Sequence, residues 1–228
     1  MELPSPDFFI VGFPKCGTSF LHEKLKNHKN IWMPNFDPVY FCTDMNSNSH
    51  YQEAEDYAKI FTKYAKLENV ITGEKTSNYA SSDVAMEKIY KHNKNAKIIV
   101  TLRNPVDAII SYHNHNIRMG YETIFNFEEA LLAQGRREKE NYKIPFYSIK
   151  ERNRFKYYDI FDYPDKVKRI LNLFGKNNIK IVLLDDIIKK PQDTINEILL
   201  FLDLNPMNIE ISKVNETKPL INHGLKEK

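Results

Sequence analysis

The sequence predicts an α/β fold: a single domain with a central parallel sheet flanked by helices and a P-loop-like strand–loop–helix unit at the N-terminus. Short apolar runs rich in Ile, Val and Phe recur along the chain, and segments with apolar residues at helical spacing separate them. Glycine is scarce, at 7 of 228 residues, yet Gly12 and Gly17 both lie in the turn after the first apolar run. A turn between a strand and a helix is a favourable place for an anion.

Four segments are predicted as strands, and the first and last of them as buried strands. The first, Phe8 to Val11, ends at Gly12, where the turn begins. The others follow in chain order as Val70 to Thr72, Lys97 to Leu102 and Ile179 to Leu184. Because helices are predicted between them, we expect the strands to run parallel.

Helices are predicted between and after these strands. The first begins at a Thr18 or Ser19 cap and runs to about His28. Asn104-Pro105 and Pro191 introduce two later helices, because Asn caps a helix and proline fits its first turn. Apolar spacing predicts the remaining helices over residues 54–65, 84–92, 127–139 and 147–174, the last interrupted near Tyr163-Pro164.

Length and composition limit the class of protein. A chain of 228 residues without repeats or linkers is expected to form one domain over residues 1–228. The apolar runs are far shorter than the ~20 residues that span a bilayer, and no secretory signal is visible. We therefore expect a cytoplasmic protein without membrane contact.

A net charge of +3 argues against sequence-independent nucleic-acid binding. Two cysteines are too few for a disulfide framework. The sequence leaves the oligomeric state open.

The segment from Gly12 to Ser19 has the position of a phosphate-binding loop, because backbone N–H groups and a helix N-terminus meet there. It matches the nucleoside triphosphatase pattern only in part, since Thr18 follows Gly17 where that pattern needs lysine. A phosphatase-type nucleophile at Cys16 would need an arginine where His22 stands. The alternative to a binding loop is a tight connection without function.

Three motifs carry a resemblance to a known family. PKCGTSFL follows the first strand, GEKTSNY comes next, and RNPVDAIISYHNH follows the strand that ends at Leu102. In this order they resemble the landmarks of sulfotransferases that use 3'-phosphoadenosine 5'-phosphosulfate (PAPS), especially the heparan-sulfate type and its bacterial relatives. The resemblance covers nearly the whole chain.

The resemblance implies a set of cofactor-binding residues and no metal. Arg103 and Ser111 would hold the 3'-phosphate, and Lys218, in the late segment from Asn215, would reach the phosphosulfate. The product would be adenosine 3',5'-bisphosphate, and the acceptor a hydroxyl or amine of a small molecule or a glycan. The 5'-phosphosulfate would bind at the first loop, at Lys15, Cys16, Gly17, Thr18, Ser19 and Phe20.

The helix after Asn104 supports the anion site independently. Its apolar stripe is predicted to consist of Val106, Ile109, Ile110, His113 and Ile117. At ~100° per residue, Ser111 lies near 140° from Val106 and so off this stripe. Arg103 follows the end of a strand, where open α/β sheets bind ligands; the alternative is a surface Arg and a solvated Ser. His113 and His115 are ~200° apart, which argues against a shared metal.

Sulfuryl transfer needs positive charge at the leaving oxygen and a base for the acceptor proton. Lys15 is the candidate for the charge. Where the resembled family has Glu-Pro-His-aromatic-Phe, this chain has Asp37-Pro38-Val39-Tyr40-Phe41, so Asp37 is the candidate base. Glu74 is the rival base, and Lys75 is predicted to contact acceptor or sulfate. The alternative for Asp37-Pro38 is an ordinary turn.

Two other functions stay open. Asp185-Asp186 after an apolar strand suggests a magnesium site and hence a kinase-like P-loop phosphotransferase. The shortened carboxylate at Asp37 and the missing histidine at Val39 suggest a catalytically weakened nucleotide-binding protein. The chain also stops ten residues after Lys218, sooner than the resemblance leads us to expect, so a truncated C-terminus is an alternative.

Overall fold

The computed structural model describes residues 4–45, 51, 53–65, 67–137, 139 and 153–210. They form a five-stranded sheet in the order β2-β3-β1-β4-β5, and every neighbouring pair is parallel. The predicted α/β class with a parallel sheet is confirmed. The strands are β1 (Phe8–Ile10), β2 (Ile31–Trp32), β3 (Ile71–Lys75), β4 (Lys97–Leu102) and β5 (Ile179–Leu183).

Ten helices lie between and after the strands in the described ranges, with a 3-10 turn before β5. Among these residues no helix is long and apolar enough to cross a membrane. The helices are α1 (Thr18–Leu25), α2 (Ala54–Thr62), α3 (Ala85–His92), α4 (Pro105–Arg118), α5 (Phe127–Leu132), α6 (Gln134–Arg137), α7 (Tyr157–Ile160), α8 (Tyr163–Phe174), α9 (Leu184–Lys189) and α10 (Pro191–Phe201).

Strand alternation divides the buried side chains into two cores, one on each face of the sheet. Phe9 of β1 and Ile98 of β4 face a core formed with α2, α3, α4, α7 and α8. Phe8 and Ile99, one position along each strand, face the second core with α1, α9 and α10. Both faces of the central strands are therefore covered, as the continuous apolar runs predicted.

The sheet departs from the prediction at three strands. β2 was missed, because two residues are too short for a periodicity signal. β3 extends to Lys75 because Gly73 and Glu74 pair with β1, although neither favours strands. β5 is a partly exposed edge strand rather than a buried one, with Ile181 42% exposed.

Two of the helix predictions are corrected, and one predicted interruption is confirmed. The α1 cap is Gly17, not Thr18 or Ser19, since Gly17 adopts the left-handed backbone that ends the loop. The helix predicted over residues 127–139 is two short helices, α5 and α6. In the predicted 147–174 helix the described part divides into α7 and α8, with the break falling just before Tyr163 as expected.

The buried face of α4 is also different. Its Asn104 cap is confirmed, because the Asn104 side chain accepts from the amides of Val106 and Asp107. Val106 is however 61% exposed and Ile110 40% exposed, so the predicted stripe is wrong at these positions. The face that packs on the core consists of Ala108, Tyr112, His113 and Asn116. Tyr112 and His113 both place their rings against Tyr157 of α7, and this aromatic packing sets the rotation of the helix.

Candidate active site

The carboxyl ends of four neighbouring strands bring the predicted site residues to one edge of the sheet. In spatial order β2, β3, β1 and β4 lead to Asp37, Lys75, Lys15 and Arg103. Neighbouring strands are about 4.8 Å apart. Residues far apart in sequence therefore form one row along this edge.

The loop after β1 turns sharply into α1. Lys15 has φ 64° and Gly17 has φ 94°, so two residues of the loop lie in the left-handed region. Gly17 pays no steric cost there because it lacks a Cβ atom. The amides of Phe20 and Leu21 donate to the Gly17 carbonyl oxygen at 3.1 and 3.3 Å. The amides of Thr18 and Ser19, which begin α1 beside this turn, precede the first intrahelical bond. The predicted strand–loop–helix anion site is thus present in its backbone geometry.

Gly12 permits the loop to approach β4. A Cβ atom at Gly12 would lie 1.8 Å from Thr101 Oγ1 and 2.9 Å from Thr18 Cγ2. We expect Gly12→Ala to lower the free energy of unfolding by about 1–3 kcal/mol, because Thr101 is buried and stiff at χ1. Gly135→Ala is the matched control, since no atom lies within 4 Å of its added Cβ. Equal urea midpoints for the two variants would contradict the close approach.

Lys15 and Arg103 lie together at the loop. Arg103 Nη1 donates to the Lys15 carbonyl oxygen at 3.4 Å. Burial lowers the pKa of Lys15, and the positive charges of Arg118 and Arg103 lower it further. The positive charges of Arg103 and Arg118 therefore add to that of Lys15 at this loop.

One face of α4 continues the positive region. Ser111, His115 and Arg118 are spaced i, i+4 and i+7, so their side chains project from the same side of the helix. Burial, and then the charges of Lys15, Arg118 and Arg154, lower the pKa of His115 to about 4, so its ring is neutral near pH 7. His115 and Arg118 were missed by sequence reasoning, although their spacing from Ser111 was a usable signal. His113 faces the core as predicted, bonded to the Ile124 carbonyl oxygen at 2.9 Å.

Among the residues that the structure describes, these cations have no carboxylate partner. Within the described ranges, no Asp or Glu oxygen comes within 4.0 Å of the charged groups of Lys15, Arg103 or Arg118. Repulsion among unbalanced cations is relieved when an anion binds between them. The residues present therefore fit a ligand with several phosphate or sulfate groups, as PAPS has.

Asp37 and Lys75 form an ion pair beside this region. Lys75 Nζ donates to Asp37 Oδ1, and the Asp37 side chain remains 34% exposed while that of Lys75 is 13% exposed. The loop is also held from α1, where His22 Nε2 lies 2.8 Å from the Pro34 carbonyl oxygen. An acceptor molecule can thus reach the Asp37 carboxylate, and Lys75 fixes its position.

Glu74 lies in a different environment. Its side chain is fully buried. The hydroxyl groups of Tyr57, Thr76 and Tyr79 all donate to its carboxylate. Burial raises the pKa of Glu74 to about 7, against the opposite effect of these three hydrogen bonds. Both oxygens are therefore occupied, and no acceptor molecule has access to them.

The remaining predicted residues are distributed around the loop. Cys16 is buried, with its Sγ 3.7 Å from the Tyr163 hydroxyl, and burial raises its pKa to about 11, which does not suit a nucleophile. Ser19 is exposed and Phe20 and Ser111 are half-buried. Lys218 lies outside the described residues.

The features that suggested a metal site receive no support. Asp185 and Asp186 pair with Lys189 and Lys190 at 3.4 and 3.5 Å, one turn along the chain, as on a solvated helix surface. Among the residues with described positions, no three His, Cys, Asp or Glu side chains are grouped to hold a metal ion.

Comparison with known proteins shows which family the chain resembles in sequence and in structure. The family model described as "Sulfotransferase domain" matches residues 5–219. A solved sulfotransferase from Alicyclobacillus acidocaldarius is 25% identical with a TM-score of 0.78, covering 94% of this chain and 87% of that one. The mouse sulfotransferase SULT7A1, solved with PAP, has a TM-score of 0.54 at 16% identity, covers 90% of this chain and 62% of that one, and shows the fold alone.

Curated relatives agree with the family. Heparan sulfate glucosamine 3-O-sulfotransferase 5 of Mus musculus is 25% identical over 88% of this chain and 54% of its own length. The membrane-associated sulfotransferase kil1 of Dictyostelium discoideum is 30% identical over 64% of this chain and 33% of its own length. The chain thus matches a third to about half of the length of these relatives. Because the family model matches it over most of its residues, the chain belongs to the sulfotransferase domain family.

Proposed function

We propose that this protein transfers the sulfuryl group of PAPS to a hydroxyl or amine acceptor. The observation that carries the proposal is the cluster of Lys15, Arg103 and Arg118 at the first loop, which has no carboxylate to balance it among the described residues. A ligand with phosphate groups at both ends of a nucleoside suits a cluster spread over two strand ends and a helix. Family membership supports the same ligand.

The proposed cofactor site uses the loop and α4. Arg103 and Ser111 bind the 3'-phosphate, and Lys15 with the amides of residues 16–19 binds the 5'-phosphosulfate. When bound, PAPS supplies a sulfuryl group already attached to a good leaving group. Lys218, which lies outside the described residues, is proposed to reach the phosphosulfate because the segment from Asn215 resembles the family's late cofactor loop.

Asp37 is the proposed base. It takes the proton of the acceptor as the acceptor oxygen or nitrogen bonds to sulfur, while Lys15 stabilises the negative charge that develops on the leaving phosphate oxygen. The exposure of Asp37 and the full burial of Glu74 favour this assignment. Lys75 holds the carboxylate in place and is proposed to contact the acceptor or the sulfate.

The acceptor is proposed to be a small molecule or a glycan. The mouse relative's name identifies a glucosamine of heparan sulfate as its own acceptor, and that name supports a carbohydrate for this chain.

A binding measurement tests the proposal. We expect adenosine 3',5'-bisphosphate to raise the melting temperature in the presence of EDTA, because it supplies the anionic groups the cation cluster needs. ATP with magnesium is expected to raise it less. Arg103→Ala should remove most of the shift, whereas Arg136→Ala, at an exposed arginine on α6, should leave it intact.

Two results would change the assignment. A larger shift with ATP that strictly requires magnesium would favour the kinase-like alternative. A full shift with the bisphosphate, but no transfer from labelled PAPS to any member of a panel of alcohols, amines and glycans, would favour a weakened nucleotide-binding protein.

A further inference from the structure

We propose that Glu74 is a positioning residue which, through Thr76 and Tyr79, holds the loop that carries Asp37 in its working position. The inference rests on the proposed role of Asp37 as the base. It assigns to Glu74 a task other than proton transfer to or from the acceptor.

Two parallel chains of hydrogen bonds connect the loop to Glu74. The Val39 amide donates to Thr76 Oγ1 at 3.4 Å, and Thr76 Oγ1 donates to Glu74 Oε1 at 3.0 Å. The Phe41 amide donates to the Tyr79 hydroxyl at 3.4 Å, and that hydroxyl donates to the same Oε1 at 2.6 Å. Two backbone amides just after Asp37 are thus held by one buried carboxylate, each through a single hydroxyl.

The other carboxylate oxygen is held from a different element. The Tyr57 hydroxyl of α2 donates to Glu74 Oε2. The Tyr57 ring stacks on Tyr40, with centroids 4.4 Å apart, and lies edge-on to Phe41 at 5.2 Å. The carboxylate therefore fixes both the backbone of the Asp37 loop and the aromatic side chains that cover it.

The loop needs such support because its backbone is strained. Val39 has φ 55°, a left-handed conformation that is a genuine outlier for a β-branched residue. Strain of this kind persists only where the surroundings over-determine the conformation. Two contacts hold the loop on either side of Pro38. They are the hydrogen bond from the Val39 N–H group to Thr76 and the ion pair between Lys75 and Asp37.

Consecutive residues of one strand end supply these anchors. Lys75 binds the Asp37 side chain, whereas Glu74 and Thr76 act on the backbone two residues later. Because Glu74, Lys75 and Thr76 are consecutive residues, a shift of the end of β3 moves the contact to the Asp37 side chain and the contacts to the loop backbone together. The three hydroxyl donors also require Glu74 to accept at both oxygens, which the ionised carboxylate does.

The test uses variants that remove one hydroxyl at a time. We expect Thr76→Val and Tyr79→Phe each to raise backbone deuterium exchange in residues 38–42 and to lower turnover about tenfold, since misplacing a catalytic group slows the reaction. Thr76→Ser should restore both. The affinity for adenosine 3',5'-bisphosphate should not change. Thr194→Val is the matched control, because Thr194 is buried on α10 and its hydroxyl has no partner among the described residues.

A double-mutant cycle separates positioning from mere stability. If Thr76 acts through Asp37, Thr76→Val should lower turnover in the wild-type background but not in the Asp37→Asn background. An equal loss in both backgrounds would overturn the proposal. So would unchanged exchange in residues 38–42, or loss of turnover in Glu74→Gln with unchanged exchange, which would make Glu74 the base. If the wild type binds the bisphosphate but sulfates nothing, the proposed function fails while the exchange experiment still decides the positioning.

Discussion

Asp37→Asn is expected to lower the rate of sulfuryl transfer by about 100-fold or more, with cofactor affinity near that of wild type. The substitution keeps the shape of the side chain and removes its capacity to accept a proton. Asp37 is the carboxylate at this edge that an acceptor can reach, because its side chain is 34% exposed whereas Glu74 is fully buried. Single-turnover rates at saturating PAPS, together with a titration of the bisphosphate, measure the two effects separately.

Two further variants control this result. Asp56→Asn, which also removes an aspartate from an ion pair with lysine but lies on the surface of α2, should keep the wild-type rate. Asp37→Glu should retain or improve the rate if the shorter side chain limits reach. Wild-type turnover in Asp37→Asn, combined with inactive Glu74→Gln, would assign the base to Glu74.

The central strands could be predicted from the sequence because each is a continuous apolar run buried on both faces. β4 was placed at Lys97–Leu102, with both ends correct. The pattern of apolar residues failed to predict strand ends that are set by pairing with a neighbouring strand. β3 continues through Gly73 and Glu74 because β1 pairs with it, and the pattern of apolar residues contains no trace of that pairing.

Helix rotation was harder to predict than helix position. Apolar content assigned Val106 and Ile110 to the core, whereas the structure exposes both and buries Asn116. Packing of Tyr112 and His113 on Tyr157 decides the rotation, and Tyr157 is a long-range partner. Ser111 lies outside the buried face as predicted, although the stripe from which this was derived is wrong at Val106 and Ile110.

The candidate site was predictable where one local motif specifies it. Lys15 and Gly17 lie in the loop after β1 and Arg103 directly follows β4, so the topology of a parallel sheet brings them together. The contacts of Glu74 with Tyr57 and Tyr79 depend on side chains from α2 and from the loop after β3. Sequence reasoning therefore offered Glu74 as a rival base without any means of showing its burial.

Lys15→Ala and Arg103→Ala are expected to differ in kind. Lys15→Ala should lower turnover at saturating PAPS by about 100-fold, because its charge matters most when negative charge develops on the leaving oxygen. Arg103→Ala should mainly weaken cofactor binding, since it removes a charge-assisted contact present before the reaction. Arg103 donates to the main-chain carbonyl oxygen of Lys15, so Arg103→Ala removes this contact with the loop, whereas Lys15→Ala keeps the acceptor.

Because Arg103→Ala removes this contact, the comparison also shows whether support of the loop by Arg103 affects turnover. If loss of loop structure were the cause, single-turnover rates at saturation would fall equally in both variants, and the division of roles would be wrong. Lys15→Arg adds a third measurement, because it keeps the positive charge and changes its shape. Its turnover should lie between those of Lys15→Ala and wild type. A rate as low as that of Lys15→Ala would show that the position of the charge, and not the charge alone, determines what Lys15 contributes as the sulfuryl group leaves.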